Sequence, residues 1–383
     1  MASSQEIDWP YDDYYGENMV YIHAIANYEL HPFWHEKWEK NLFCQNMMRL
    51  NFASISNTEL LSDARLALNE ELSSGLWFRY AATYYATHHR NEQDKHVETG
   101  FEKQIYRPLS VFIYGDPHFE KEEIDVQYGL SLTNKSRTNY LRLAYRDIDV
   151  FWNDKNNIKS RDMKKPWQFV WETNLTVGPF RFFSQGQYDD GSERSFVATE
   201  GRDRFSQRKK MDDLVFKLFY YRTHRSFIEA AYSRYHFEEE KAFAATDDHY
   251  SYQNEIELIK IGYITPVSDN SNVRFGAHVV IQDAGSTGYG AHDYHHAEFI
   301  PFFFAERCLG PGVVEAGYMG SMQKWDYVGL FEITHPHQSG YVDKIKLAYT
   351  FNFDNRVYLQ FAVSHVTTIW GFGGGNVQFW LEL

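Results

Sequence analysis

A two-residue alternation of apolar and polar side chains, repeated along most of the chain, is the feature that most constrains its fold. In the stretch EEIDVQYGLSLT, apolar residues take every second position from Ile124 to Leu132, and the positions between them are polar or small. This period separates the two sets onto opposite faces of a β-strand, whereas a helix needs a period near 3.6. The pattern recurs from about residue 60 to Leu383. The sequence therefore predicts an all-β protein of amphipathic strands.

The length of the alternating segments and the aromatic content indicate which solvent the apolar faces meet. The segments run for roughly nine to fourteen residues, which exceeds the usual five or six of a soluble strand and suits a tilted bilayer crossing. Aromatic residues make up 18% of the chain although the mean hydropathy is −0.55. They gather near segment ends, as in YYATHH and PWQFVW, where interfacial girdles are expected. We predict a transmembrane antiparallel β-barrel, with a soluble β-sandwich as the alternative.

The connections predict how this barrel is organised along the chain. Short candidate turns alternate with long candidate loops, among them 189–212, 237–253 and 283–295, provided that 313–333 is one strand. This arrangement gives about 16 strands, within a range of about 14 to 18, and an even count is typical of bacterial barrels. We expect the barrel at residues 59–383 and an N-terminal extension at 1–58.

The extension leaves several interpretations open. HPFWHEKWEKN has Pro32 at its start and Trp34 and Trp38 one turn apart, which predicts a short helix. A periplasmic segment, a plug and additional strands are all compatible with the rest of the extension. The N-terminus lacks the cationic and apolar stretches of a signal peptide, so we expect either a cytosolic protein or a chain whose leader has been removed.

The polar faces of the strands predict the lining of the lumen. Both signs of charge are present, as a hydrated interior requires, and lumen charge tunes which solutes pass. The residues expected to face the lumen are Arg79, Asp125, Gln127, Arg142, Arg146, Gln168, Glu172, Asn174, Lys217, Lys344, Lys346 and Gln360.

Two resemblances to known families accompany this pattern. The final stretch NVQFWLEL resembles the assembly signal of Gram-negative outer-membrane barrels, although Leu383 replaces the usual terminal aromatic residue. Between about residues 121 and 222, the order EIDVQYGLSL, LAYRDIDVFW, WETN, GQYDDGSERS and KMDDLVFKL resembles outer membrane phospholipase A. The resemblance implies an outer-membrane β-barrel that is porin-like in general form.

The lipase residues themselves are not carried over. In that alignment Glu172, Thr173 and Asn174 match, but the catalytic His and Ser positions hold Asp189 and Gly191, and the Asn position holds Asp212. A hydroxyl nucleophile needs a base that takes its proton, and these residues supply neither. We therefore expect no enzyme and no catalytic residues, with a lipid hydrolase or its inactive relative as an alternative.

Other chemical features of the sequence are weak. The formal charge of −14 argues against nucleic-acid binding, and Cys44 and Cys308 match no disulfide framework or metal spacing. We interpret the histidines as ordinary polar residues, with no metal and no cofactor. The pair His31 and His35 is included, and so are those expected in loops, namely His292, His295, His296, His335 and His337.

The sequence thus favours a channel or porin of the bacterial outer membrane, or a barrel that houses a partner for transport across that membrane. Outer-membrane lipids and lipopolysaccharide are the expected surroundings, and a protein partner or plug is a candidate occupant of the lumen. The solute, the oligomeric state and the open or plugged state of the lumen are not predicted.

Overall fold

The computed structural model describes the chain from Asn46 onward and shows β-strands as its regular elements. It describes residues 46–55, 59–87, 92–116, 125–147, 160–164, 167–197, 204–223, 225–243, 248–288, 291–329, 340–353, 356–368 and 371–383. Among these residues, no helix is long and apolar enough to cross a membrane. The short helix predicted at 31–41 and the His31/His35 pair lie outside the described residues.

The described strands follow one another with short turns and longer connections in alternation. Their bounds are β1 Met47–Ile55, β2 Glu59–Ser73, β3 Leu76–Thr87, β4 Glu92–Tyr106, β5 Leu109–Gly115, β6 Val126–Thr133, β7 Tyr140–Asp147, β8 Ser160–Lys164, β9 Trp167–Val177, β10 Phe180–Asp189, β11 Ser192–Val197, β12 Arg204–Thr223, β13 Ser226–Phe243, β14 Asp248–Ser268, β15 Ser271–Thr287, β16 His292–Leu309, β17 Gly312–Gly329, β18 Gly340–Phe353, β19 Val357–Val366 and β20 Gly371–Glu382. The strand order was predicted on the condition that 313–333 is one strand, and β17 fulfils this condition.

These strands close into a barrel, because β1 pairs antiparallel with both β2 and β20. Eighteen strands form the ring. β11 continues β10 beyond Gly191 along the same neighbour, β12, while β8 pairs with β11 outside the ring. The predicted fold class is confirmed, and the resemblance to porin-like barrels is confirmed at the level of the fold. Closure pairs every strand of the ring on both sides, as a β-structure in lipid requires.

The strand number is 18, so the expected value of 16 was low. Two strands account for the difference. β1 lies inside the 1–58 segment assigned to the extension, where additional strands were one of the interpretations. The single strand centred near residue 108 is a hairpin, because β4 and β5 pair across a two-residue turn at Arg107 and Pro108. Alternation continues through this tight turn, so the pattern alone did not reveal it.

The outer face of the barrel is apolar, which excludes the soluble β-sandwich. In the opening stretch, Tyr128, Leu130 and Leu132 point outward with 43–50% of their surface exposed, whereas Gln127 and Ser131 are buried. Large exposed apolar side chains recur on strand after strand, including Ile113, Ile261 and Leu347. Exposed apolar surface on this scale is unfavourable in water and favourable in hydrocarbon.

Strand length divides the ring into two unequal regions. β5, β6, β7, β9 and β10 have 7 to 11 residues, and we call them the short wall. β12 to β17 have 17 to 21 residues, and we call them the tall wall. Both walls begin at the end of the barrel that carries the short turns and the two termini of the described chain, which we call the turn end. The tall wall projects beyond the short one at the opposite, loop end.

Candidate functional site

The interior of the barrel is the candidate site, because the charged and amide side chains of the strands collect there. Of the residues predicted to face the lumen, all but one are buried. Asp125 is half-buried just before β6, and the others are Arg79, Gln127, Arg142, Arg146, Gln168, Glu172, Asn174, Lys217, Lys344, Lys346 and Gln360. Their participation in moving a solute stays a prediction.

On the short wall, a layered arrangement that we call the short-wall stack consists of Gly129, Phe112, Arg142 and Glu172. A Cβ on Gly129 would lie 2.8 Å from Phe112 Cζ, so the ring lies across the glycine, close to the strand backbone. The Arg142 guanidinium lies 4.5 Å from the centre of this ring, and its Nη1 is 3.4 Å from Glu172 Oε2. Tyr140 also donates its hydroxyl hydrogen bond to Glu172. The stack fixes an arginine and a carboxylate against the wall.

The tall wall carries a similar layer, the tall-wall stack of Gly317, Phe304, Arg274 and Glu315. Phe304 occupies the space that a Cβ on Gly317 would fill, and the Arg274 guanidinium lies 4.5 Å from the centre of the Phe304 ring. Glu315 accepts from Arg274 Nη2 at 3.2 Å and lies 3.4 Å from Lys346 Nζ. These carboxylate and cationic groups are nearly inaccessible to solvent.

The two stacks face each other across the ring. One spans β5, β6, β7 and β9, and the other spans β15, β16 and β17, with four ring strands between them on one side and seven on the other. Arg142 and Arg274 both lie within the first few residues of their strands at the turn end. Opposite charges within each stack neutralise one another locally. The arrangement therefore holds each arginine and its carboxylate in a fixed position on the wall.

Sequence reasoning missed the tall-wall stack. Arg274 and Glu315 lie on strands that were predicted, but neither was named as facing the lumen. The run FIPFFFAE around Phe304 is apolar on both faces, so alternation did not say which aromatic residues point inward. A glycine that lies opposite an aromatic residue on the neighbouring strand is a sequence signal that could have identified the stack. An inward ring on one strand and a glycine on its neighbour, as with Phe304 and Gly317, indicate close packing at the wall.

Buried apolar clusters also lie inside the barrel. One cluster contains Phe112, Tyr114, Ala144 and Val170 of the short wall. Another contains Phe183 of β10 together with residues of β1, β2, β19 and β20, namely Met47, Ala67, Tyr358 and Trp380. β10 lies on the opposite side of the ring from β1 and β20. A cluster with members from opposite walls indicates a packed rather than a water-filled interior.

The accessibility of the inward polar side chains supports the same conclusion. Lys344, Gln282 and His296 have 0% of their surface exposed, and Arg181 has 2%. Barrels of 16 to 18 strands are wide enough for an aqueous channel, so an empty interior would leave such side chains in contact with water. Protein atoms cover them instead. The interior is therefore closed to solvent at these positions.

The structure corrects the placement of the histidines. His292, His295 and His296 were expected in a loop but belong to β16, because the tall-wall strands continue farther than predicted. The His296 ring stacks on Trp325 at 3.6 Å between centres, and His295 Nδ1 lies 2.6 Å from Asp283. No group of three metal-ligating side chains occurs in the described part of the chain. His335 and His337 lie outside the described residues.

The positions aligned with the lipase residues have structural roles here. Asp189 is buried at the end of β10, where its Oδ1 accepts the backbone N–H of Gly191 at 2.6 Å. Gly191 has a φ of +86°, a conformation that suits glycine, and it marks the break between β10 and β11. The side-chain oxygen of Asn174 accepts from Arg181 Nε at 3.1 Å. This geometry assembles no serine–histidine pair at the aligned positions.

No protein-family model and no curated protein matches the chain. Several solved structures are similar to it. A bacterial polysaccharide outer membrane secretin has a TM-score of 0.43 at 9% identity, with 88% of this chain and 98% of that chain covered. OccAB3 of Acinetobacter baumannii has a TM-score of 0.42 at 8% identity, with 88% of this chain and 98% of that chain covered. CdiB from the same species has a TM-score of 0.42 at 7% identity, with 88% of this chain and 60% of that chain covered. At these values the similarity adds nothing to what the strand pairing shows.

Proposed function

We propose that the protein is a bacterial outer-membrane barrel that serves transport across that membrane and whose lumen is closed in its resting form. The closed ring with an apolar outer face supports a place in a bilayer, where lipids and lipopolysaccharide would surround it. A general open porin is less consistent with the interior, since the inward polar side chains are covered. The observation that carries the proposal is this combination of an apolar exterior with a charged but solvent-inaccessible interior.

The buried ion pairs suit a barrel that holds something inside. Arg274 with Glu315, Lys260 with Glu229 and Arg49 with Asp63 all pair between strands of the wall. Removing water from such charges is costly unless geometry and hydrogen bonds compensate. In the proposed mechanism, displacing whatever covers these groups rehydrates them and creates a polar passage lined by charges of both signs.

Gel mobility and conductance test this proposal in the full-length protein. We expect a heat-modifiable band in detergent, because a closed barrel resists unfolding until it is heated. In planar bilayers we expect conductance far below that of an open lumen of 18 strands, with openings only under a strong applied potential or denaturant. A large, stable conductance in every insertion would contradict the closed lumen, and a monodisperse protein without detergent would contradict the membrane location.

A further inference from the structure

We propose that the inner face of the tall wall binds an uncharged oligosaccharide at the loop end of the barrel. The inference rests on the proposed transport function and names a class of solute for it. The residues concerned form a group that we call the mouth panel, which occupies two adjacent rows of the strand pairing across β14 to β17. Its members are Asn254, Gln282, Tyr294, His296, Trp325 and Tyr327.

The mouth panel lies beyond the part of the tall wall whose outer face is apolar. The outward residues that alternate with the panel are Glu255, Asp283 and His295, all polar and half-buried or exposed. The exposed apolar residues Ile259 and Phe299 lie nearer the turn end of the same strands. A solute would therefore reach the mouth panel from water at the loop end. Lipopolysaccharide would face the opposite surface of the sheet, so the ligand in this proposal is a soluble saccharide.

The rings of the mouth panel are held in place by one another. His296 is fully buried and stacks on Trp325 with 3.6 Å between ring centres, and the Tyr294 ring lies 5.7 Å from the Trp325 ring. His292 stacks on Tyr327 at 5.9 Å. Trp325 and Tyr327 are half-buried, so they keep accessible surface in a fixed orientation. Such a platform packs against the C–H face of a sugar ring without having to be ordered on binding.

Amide groups lie beside this aromatic platform. The Gln282 amide donates to the side-chain oxygen of Asn254 at 3.0 Å, and both residues are buried. Gln323, which is half-buried, accepts from the indole N–H of Trp325 at 3.2 Å and donates to the Ser321 hydroxyl at 3.3 Å. An amide both donates and accepts more than one hydrogen bond, so Gln323 can also bind a sugar hydroxyl next to the indole.

The charge of the mouth panel indicates which saccharides fit it. None of its members is a Lys, Arg, Asp or Glu, whereas the tall-wall stack nearer the turn end contains Arg274 and Glu315. In the next row of the pairing, Glu298 accepts from the Ser321 hydroxyl at 2.6 Å and lies 3.6 Å from His296 Nε2. A uronic acid or a phosphate group would meet no Lys or Arg in the panel. An uncharged saccharide therefore fits this surface best.

Isothermal titration calorimetry of the full-length protein tests the proposal, in a detergent without a sugar head group. The uncharged probes are maltohexaose and cellohexaose, and the charged probe is hexagalacturonate. We expect an uncharged probe to bind more tightly than the charged one. Trp325→Ala should weaken this binding about tenfold or more, and Trp325→Phe should weaken it less, because phenylalanine keeps an aromatic face. Tyr327→Ala is a second variant and should also weaken it.

Trp167→Ala is the matched control. Trp167 is also a half-buried tryptophan at the loop end, but it lies on the outer face of the short wall, where it stacks on Tyr145. Its replacement should leave binding unchanged. The heat-modifiable gel band shows that each variant is folded. If Trp325→Ala does not fold, Tyr327→Ala and Trp325→Phe are compared with Trp167→Ala instead.

The outcomes separate the mouth panel from the closed lumen. Equal weakening by the panel variants and by Trp167→Ala would overturn the panel as the site, and tighter binding of hexagalacturonate would overturn the uncharged class. No binding of either uncharged probe, with low conductance in planar bilayers, would overturn the panel and leave the closed lumen standing. Large conductance together with binding that depends on Trp325 would instead overturn the closed lumen and leave the panel standing.

Discussion

The short wall and the tall wall of the barrel differ in what their outer faces meet. On the short wall, the outward positions of β6 are apolar from Tyr128 to Leu132, almost to the end of the strand. On β14 of the tall wall, Ile261 and Ile259 are exposed and apolar, but Glu257, Glu255 and Gln253 follow at the next outward positions. The tall wall therefore repeats the short wall near the turn end and then continues as a sheet with polar residues on its outer face.

The outward residues of this upper part form cross-strand pairs instead of an apolar face. Arg234 Nε lies 2.5 Å from Glu255 Oε1, and His295 Nδ1 lies 2.6 Å from Asp283 Oδ1. Exposed pairs of this kind contribute little to stability, whereas buried pairs leave an uncompensated charge when one partner is lost. A single strand can therefore meet two solvents along its length. The contribution of a side chain to the stability of the fold depends on which solvent surrounds it.

The largest expected effect contrasts a buried carboxylate with an exposed one on the tall wall. Glu315→Leu removes the carboxylate that pairs with both Arg274 and Lys346 and should lower the free energy of unfolding by about 3–5 kcal/mol, since two buried cations lose this opposite charge. Glu240→Leu, at a mostly exposed pair with Arg208, should change it by about 1 kcal/mol or less. Guanidinium unfolding in detergent micelles, followed by fluorescence, measures both.

A combined variant tests the reason for the Glu315 effect. Replacing Arg274 and Lys346 by Met together with Glu315→Leu removes the buried charges as a set, and it should recover part of the stability lost in the single variant. If the single and combined variants were equally destabilised, lost packing rather than unpaired charge would explain the effect. Equal losses of unfolding free energy for Glu315→Leu and Glu240→Leu would contradict the distinction between buried pairs in the lower tall wall and exposed pairs in the upper tall wall.

The second prediction places a charge on the outer face at three positions. Leu130→Arg on the short wall and Ile261→Arg low on the tall wall should each cost about 2–4 kcal/mol, because arginine is unfavourable in the bilayer core. Gln253→Arg lies eight residues from Ile261 on the same strand, beyond the apolar band, and should stay within about 0.5 kcal/mol of the unsubstituted protein. Denaturant unfolding after insertion into vesicles measures the three. A large loss of unfolding free energy for Gln253→Arg would indicate that the upper part of the tall wall lies inside the bilayer.

The same solvent boundary explains which parts of the fold were predictable. Alternation predicted the barrel correctly, because lipid outside and a polar interior impose opposite demands on neighbouring residues. The loops predicted at 237–253 and 283–295 are wrong, since strands continue to Phe243 and Thr287. Stretches such as EEEK and HDYHH are polar on both faces because no hydrocarbon surrounds the upper wall. A strand in that setting loses the period of two while keeping its backbone pairing.

The interior was less predictable than the exterior for a different reason. A polar face shows which side chains avoid lipid, but it does not show whether water or protein covers them. Arg142 and Lys344 were expected to face the lumen, and only the structure shows that they are covered. The aromatic layers under Arg142 and Arg274 depend on contacts between different strands, which the alternation within one strand does not encode.

The smallest expected effect is a pH response confined to the upper tall wall. Glu239 lies on β13 beyond the apolar band. Burial alone would raise its pKa, but hydrogen bonds from Lys241, at 2.8 Å, and from Gln207, with the charge of Lys209, lower it below the ordinary 4.5. A carboxylate with a lowered pKa in the folded state stabilises that state above its ordinary pKa, and the contribution is lost as the pH falls through the lowered value.

We therefore expect amide hydrogen exchange at residues 236–243 to accelerate between about pH 5 and about pH 3, after correction for intrinsic rates, by the equivalent of about 1 kcal/mol or less. Exchange in β6 and β7 should change less, because β9, β10 and β12 separate these strands from Glu239 on β13 in the ring. Glu239→Gln should remove most of the pH dependence while leaving the barrel closed. If β6 and β7 responded as strongly as 236–243, acid would be loosening the barrel as one unit, and the upper tall wall would have no separate local stability.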